Sequence, residues 1–279
     1  MRHPSADTGW QAELALEFAR AGGQTILGRS RHRGPLLVQR PFHPEAGGAC
    51  HVYLLHPPGG VVAGDRLRID IKTREGAQAL VTTPAATKVY RSGGPRASQE
   101  QRLRLDPGSV LEWLPQETIL FSGARADLHT RVDLVGDAGF LGWEILCVGL
   151  PASGAPFVQG SCLQSFEIWR DGSPLVLERT WFAEDPKALR APWGMGGHTV
   201  VGSLFCVTNH SGAVERVRAV LPPPAEEELA SVTQLKGVLV CRYLGHHAER
   251  ARRCFVRAWE VLRPIFAGRQ ACAPRIWST

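Results

Sequence analysis

Apolar and polar residues alternate along positions 10–18, where Ala12, Leu14, Leu16 and Phe18 share one parity, and again in Leu67-Arg68-Ile69-Asp70-Ile71-Lys72. A period of two is the signature of a strand with one buried face. The same reasoning predicts strands over 77–83, ended by Pro84, and over 87–91, 99–105, 110–114, 127–135, 140–148, 162–169, 175–182, 200–208 and 237–243. Short strands are also expected at 25–27 and 36–39, with the arginine-rich stretch 29–33 between them read as a solvated loop. The turn signals HPPGG (56–60), Arg74-Glu75-Gly76, Asp106-Pro107-Gly108 and Asp171-Gly172 separate these runs closely. No helical pattern intervenes between them, so the body reads as antiparallel or coiled β structure. A doubly wound nucleotide-binding fold is excluded on that ground.

The tail changes period. Ala248, Ala251, Phe255, Ala258, Trp259 and Leu262 recur at helical spacing within 247–263, and Pro264 limits the segment. Arg250, Arg253, Arg257 and Arg263 are expected to make the outside of this helix basic. A second helix is expected to begin where Pro222, Pro223 and Pro224 precede Ala225-Glu226-Glu227-Glu228, with acids in its first turn. Positions 1–279 thus read as a single domain, a β body over about 10–210 followed by a strand-plus-helix part over about 211–279.

Composition narrows the class. With 44% hydrophobic residues among 279, the chain can bury a substantial core. The first 23 residues contain Asp7, Glu13 and Glu17 and no apolar leader core, and no run of about 18 apolar residues exists to span a bilayer, so a cytoplasmic protein away from the membrane is expected. Seven scattered cysteines without CxxC pairs suit neither a disulfide framework nor a structural zinc site. The net charge of +6 is carried chiefly by arginine, which suits carboxylate-rich partners as well as nucleic acid.

Candidate chemistry is sparse. No GxxxxGK[ST] motif occurs, and the glycines of HPPGGVVAGD lack both a lysine and a following helix to cradle phosphate. Glu112, Glu117 and Glu144 lie in strongly apolar surroundings; a paired-carboxylate hydrolase using Glu112 and Glu144 is one reading, and carboxylates bonded to nearby backbone or arginine are the plainer one. His246 and His247, with Glu249 and Cys254, could ligate a metal, but adjacent side chains at a helix start diverge and a surface cap is favoured. Trp113, Trp143, Trp169, Trp181 and Trp193 read as core or interface anchors. Nucleic-acid binding is a third reading, and no RNP-like or KH-like motif supports it.

Four motifs carry a resemblance: PPGGVVAGD (57–65), TTPAATK followed by YRS (82–92), LEWLPQETILFSGA (111–124) and GWEILCVGLPASG (142–154). In order and spacing they closely resemble the urease accessory protein D family, UreD, called UreH in some species, and the similarity extends from about Gln11 to the closing PRIWS at 274–278. The resemblance implies a mainly β, β-helix-like layered body with a few helices toward the C-terminus. It implies a non-enzymatic nickel-urease maturation scaffold whose partners are the urease apoprotein and urease accessory proteins F and G, the latter a GTPase. No permanently bound cofactor or tightly held metal is expected, only transient nickel. Asp65, Thr87, Glu144 and Glu178 match polar positions of the family's motifs and are expected to line a water-filled passage for nickel. Arg250, Arg253, Arg257 and Trp259 are expected to form a partner-binding surface.

Overall fold

The computed structural model describes residues 9–183 and 186–278. The chain starts with a hairpin, β1 (Gln11–Ala21) and β2 (Gln24–Arg33), followed by the short β3 (Leu37–Val38) and β4 (Cys50–Leu55). It then winds as a coil. β5 (Arg66–Thr73), β8 (Ala97–Leu105), β11 (Ala124–Leu134) and β14 (Gly160–Arg170) stack in parallel beside β1 on one side. β6 (Gln78–Thr82), β9 (Val110–Leu114) and the first part of β12 (Gly139–Leu150) stack in parallel on β4 to form the opposite side. A narrow third side is made by Val61, β7 (Thr87–Val89), β10 (Thr118–Leu120) and the second part of β12. The result is a β-solenoid of about four turns.

Each turn between the first two sides is locked to its neighbour. The amide of Arg74 donates to Phe18 O, that of Asp106 to Thr73 O, that of Val135 to Leu105 O and that of Asp171 to Leu134 O, at 2.8–3.0 Å. The amides of Gly108 and Gly136 donate to the carboxylates of Asp137 and Asp171 in the following turn, at 2.7 and 3.0 Å. Both glycines have positive φ (65° and 58°), a conformation glycine adopts without the Cβ clash other residues meet.

After the short β13 (Ala155–Pro156) and β14, the hairpin strand β15 (Ser173–Phe182) ends the first sheet, with order β15-β14-β11-β8-β5-β1-β2. Past α1 (Pro186–Arg190), β16 (Val200–Val207), β17 (Leu229–Leu235) and β18 (Val238–Gly245) extend the second sheet antiparallel from β12. Two helices, α2 (Ala213–Val220) and α3 (Ala248–Phe266), cover that sheet's outer face. Strands of the first sheet therefore alternate in burial, as in β5, whereas β9 is buried at all five positions because both its faces are covered. Phe140, Phe166 and Phe205 fill the space between the sheets, the last two stacked at 4.5 Å. Outside the second sheet, Trp143 meets Phe255 of α3 and Trp277, and Trp277 meets Trp259. Each such buried aromatic stabilises the fold by roughly 1.5–3 kcal/mol.

Several expectations need correcting. The arginine-rich stretch is not a loop: residues 29–33 belong to β2, because β1 supplies a backbone partner along its whole length. No helix begins at Ala225. Glu227 takes φ 68°, and Glu228 turns inward to accept from the Ala225 amide, Tyr243 Oη and Arg250, so these local bonds replace the helical ones. The helix in that region is α2, which buries Ala213 and Val217. Pro264 falls inside the last turn of α3 and does not end it. Arg263 is wholly buried and adds nothing to the basic surface.

Candidate functional site

Inward-facing positions near the middle of the first sheet carry a band of polar side chains. On the buried parity, Gln99 and Gln101 interrupt β8, Thr130 interrupts β11 and Gln164 interrupts β14. Register brings them together: Gln101 lies beside Thr130, and Leu128 lies between Gln99 and Gln164. Glu144 reaches this band from β12 on the opposite sheet. Thr130 Oγ1 lies 2.5 Å from Glu144 Oε1 and 3.0 Å from Gln101 Oε1, while Gln164 Nε2 donates to Glu144 Oε2 at 2.7 Å. The threonine has one proton for two acceptors. A proton on Glu144 resolves the conflict by running the chain Glu144 to Thr130 to Gln101. Burial pushes the Glu144 carboxyl up to about 7 against the Thr130 and Gln164 bonds, and the neighbouring Glu178 charge adds to the rise. Glu144 keeps some accessible surface although it lies deep in the protein, because it fronts internal cavities.

Three cavities adjoin in series. A cleft of about 200 Å³ opens between the HPPGG turn and Pro84–Lys88. It shares Leu54, His56, Thr83 and Thr87 with an interior cavity of about 70 Å³. That interior cavity shares Glu144 and Gln164 with a third, of about 760 Å³, between the splayed ends of the two sheets. Thr87 therefore lies in the lining common to the first two spaces and Glu144 in the lining common to the second and third. Glu178 lies on the wall of the largest cavity, ion-paired to Arg242, which also donates to Ser203 Oγ at 2.8 Å. Trp181 and Trp193 border the same space and are exposed, whereas Trp113 and Trp143 are core.

Asp65 sits apart from these walls. It is buried at the turn before β5, where its carboxylate accepts from the amides of Trp10 and Val62 at 2.7 and 2.8 Å, tying the N-terminal strand to the coil. Its charge opposes the burial that lowers the proton affinity of His56, which lines the first two cavities.

The surface expected on α3 is partly committed elsewhere. Arg250 pairs with Glu228 and Arg253 with Glu249. Trp259 is completely buried, its indole donating to Glu112 Oε2 at 2.6 Å, so it belongs to the core and not to a docking face. Glu112 is held by Arg263 and lines none of the three cavities, so Glu112 and Glu144 share no space in which a substrate could meet both, as the hydrolase reading requires. His246 stacks on His198 at 5.2 Å, with Nδ1 3.3 Å from Thr199 Oγ1. Among the described residues no three His, Cys, Asp or Glu side chains converge as a metal-holding group. Six cysteines are buried free thiols, and burial pushes Cys147, Cys162 and Cys241 up to about 12, the unreactive form. No helix is long and apolar enough to cross a membrane among the described residues.

Gln99, Gln101, Thr130 and Gln164 were not singled out from the sequence. Their signal is present as polar residues on the buried parity of otherwise regular strands, but its meaning depends on strands far apart in sequence standing in register.

Comparison with known proteins agrees with the motifs. The family model described as UreD urease accessory protein matches residues 11–278. The chain is 49% identical to the urease accessory protein UreD of Chromohalobacter salexigens, over 97% of this chain and 89% of that protein. It is 43% identical to UreD of Dechloromonas aromatica, over 99% and 97%, and 46% identical to UreD of Pseudomonas putida, over 98% and 96%. The match of one family model to nearly the whole length, and of these relatives over nearly the whole of theirs, means that the chain belongs to the UreD urease accessory protein family.

Proposed function

We propose that this protein is a non-enzymatic scaffold for urease maturation. It docks on the urease apoprotein in the cytoplasm together with accessory proteins F and G, and it helps nickel reach the buried active site through its own interior. The observation that supports the passage is the succession of cavities, the first two sharing His56 and Thr87 as lining and the second and third sharing Glu144 and Gln164. Oxygen donors suit a conduit, since carboxylate, hydroxyl and amide groups hold nickel weakly enough to release it, whereas clustered thiolates and imidazoles would retain it. Glu144 is the only carboxylate among the residues lining the interior cavity and binds a cation best when ionised. Glu178 and Arg242 mark the far mouth, where a partner would receive or deliver the ion.

The test replaces Glu144 by Gln and Thr87 by Val in the full maturation system. Both variants are expected to fold and to co-purify with urease and the accessory proteins, while the matured urease contains less nickel and less activity. Normal assembly with full nickel content would reject the passage. Asp65→Asn is unsuitable for this purpose, because it disturbs the turn that Asp65 holds.

A further inference from the structure

β2 runs along the edge of the first sheet and pairs on one side only, with β1. From Gly28 to Arg33 every residue is exposed, and no described strand pairs with the outer side of that stretch. Its free N–H and C=O groups are a template for one more strand. A bulge opposite Glu17 and Phe18 resets the side-chain parity, placing Arg29, Arg31 and Arg33 opposite Glu17, Ala15 and Glu13 on the outer face.

These arginines differ from the others on the sheet. Arg68, Arg102 and Arg131 are neutralised by Asp70, Glu100 and Asp133 two residues away on their own strands. No hydrogen bond or ion pair joins the side chains of Arg31 and Arg33 to a described residue, although Glu13 stands opposite Arg33 across the β1–β2 ladder. Arg29 only attracts Glu17 at longer range, and Glu17 is bonded to Arg74. Three cations without an ion-pair partner of their own among the described residues thus repeat at every second residue along an open backbone edge, with only Glu13 and Glu17 opposite them in the ladder. A second copy of this chain cannot fill it well, since edge-to-edge pairing of two β2 strands would set one arginine ladder against another. A nucleic acid would answer the charge but not the alternating amide donors and acceptors.

We propose that the free edge of β2 is a docking site for an extended segment of a partner protein with carboxylates at every second residue. Added as a strand, such a segment presents its acids about 6.6–6.8 Å apart, the repeat of the arginine ladder. Backbone bonds supply the affinity and bidentate arginine–carboxylate pairs the selectivity.

The probe is an end-blocked nonapeptide of alternating Glu with Thr or Val, titrated into the full chain and followed by fluorescence anisotropy and amide hydrogen exchange. Binding is expected, with slowed exchange confined to Gln24–Arg33 and its contact strand. The triple variant Arg29→Glu, Arg31→Glu, Arg33→Glu should weaken it about tenfold or more, as loss of three exposed pairs implies. N-methylation of alternate peptide amides should do the same. Absence of binding would overturn the proposal. So would equal binding by a peptide of the same composition with its acids in one block, by the N-methylated peptide or by the triple variant, or tighter binding by a single-stranded oligothymidylate. Should the triple variant misfold, the N-methylation comparison on the unaltered chain decides alone.

Discussion

Arg263 of α3 and Glu112 of β9 meet in an ion pair sealed from solvent, with Nε and Nη2 donating to the carboxylate at 2.9–3.0 Å. Glu45 approaches the same guanidinium from the other side, at 2.6 and 2.9 Å, and also bonds His51. Burial opposes the Glu45 charge, but the His51 and Arg263 bonds outweigh it and lower its carboxyl to about 2. This joint ties the C-terminal helix, the N-terminal loop and the coil together. Arg263→Met leaves Glu112 buried and unpaired, and should cost about 3–5 kcal/mol in urea unfolding. Adding Glu112→Leu to that variant should recover a good part of the loss. A single variant within error of the unaltered protein would show the pair to be solvated.

Stability should depend on pH through Glu144. Its folded-state value of about 7 lies above the ordinary 4.5, so between those values the native chain holds a proton the unfolded chain has lost. Stability from this group is therefore full below about pH 4.5, falls as pH rises toward 7 and levels off above, a change of about 3 kcal/mol at most. Glu144→Gln should remove this slope, melting higher than the unaltered chain at pH 8 but not at pH 5. Parallel melting curves across that range would mean that cavity water keeps the carboxylate ionised.

Gly160 carries φ 104°, and a Cβ there would stand 2.1 Å from the carbonyl oxygen of Ala124, inside the β11/β14 ladder. Gly160→Ala should destabilise the fold by at least about 1–3 kcal/mol. Hydrogen exchange should quicken first in β14 and β15. Unchanged exchange there would contradict the close approach.

Arg253 and Arg257 are the exposed cations of α3. Arg253→Glu with Arg257→Glu should leave stability within about 0.5 kcal/mol, as exposed substitutions usually do, and should lower co-purification of urease and the accessory proteins at moderate salt. Arg250 is best left intact, since its loss would strip Glu228 of a partner. Full recovery of the partners would remove this face from consideration.

The body was legible because one sheet faces water. Strands such as β5, β8 and β11 announce themselves by alternation, and Val110–Leu114 was bounded by turn residues on both sides. β4 and β17 escaped notice: β4 is almost uniformly buried and so lacks a period, and β17 sits among exposed polar residues. Glu144 stood out as a carboxylate in an apolar run, but its Thr130 and Gln164 partners, 14 and 20 residues away, meet it only because the coil returns. Trp259 and Arg263 illustrate the opposite failure. Helical periodicity assigns faces to residues, yet it cannot say that a basic residue on the buried side will find Glu45 and Glu112 waiting 218 and 151 residues earlier.

The aspartate locks between turns give the coil a direction in time. Gly108 is closed by a carboxylate 29 residues downstream, and Gly136 by one 35 residues downstream. On a ribosome these two glycine turns therefore emerge before the carboxylates that close them, and their side-chain bonds wait for the next turn of the coil. The β14–β15 hairpin delivers the last of these closures through Asp171 at its tip. A nascent chain halted before that point retains an open, adhesive end.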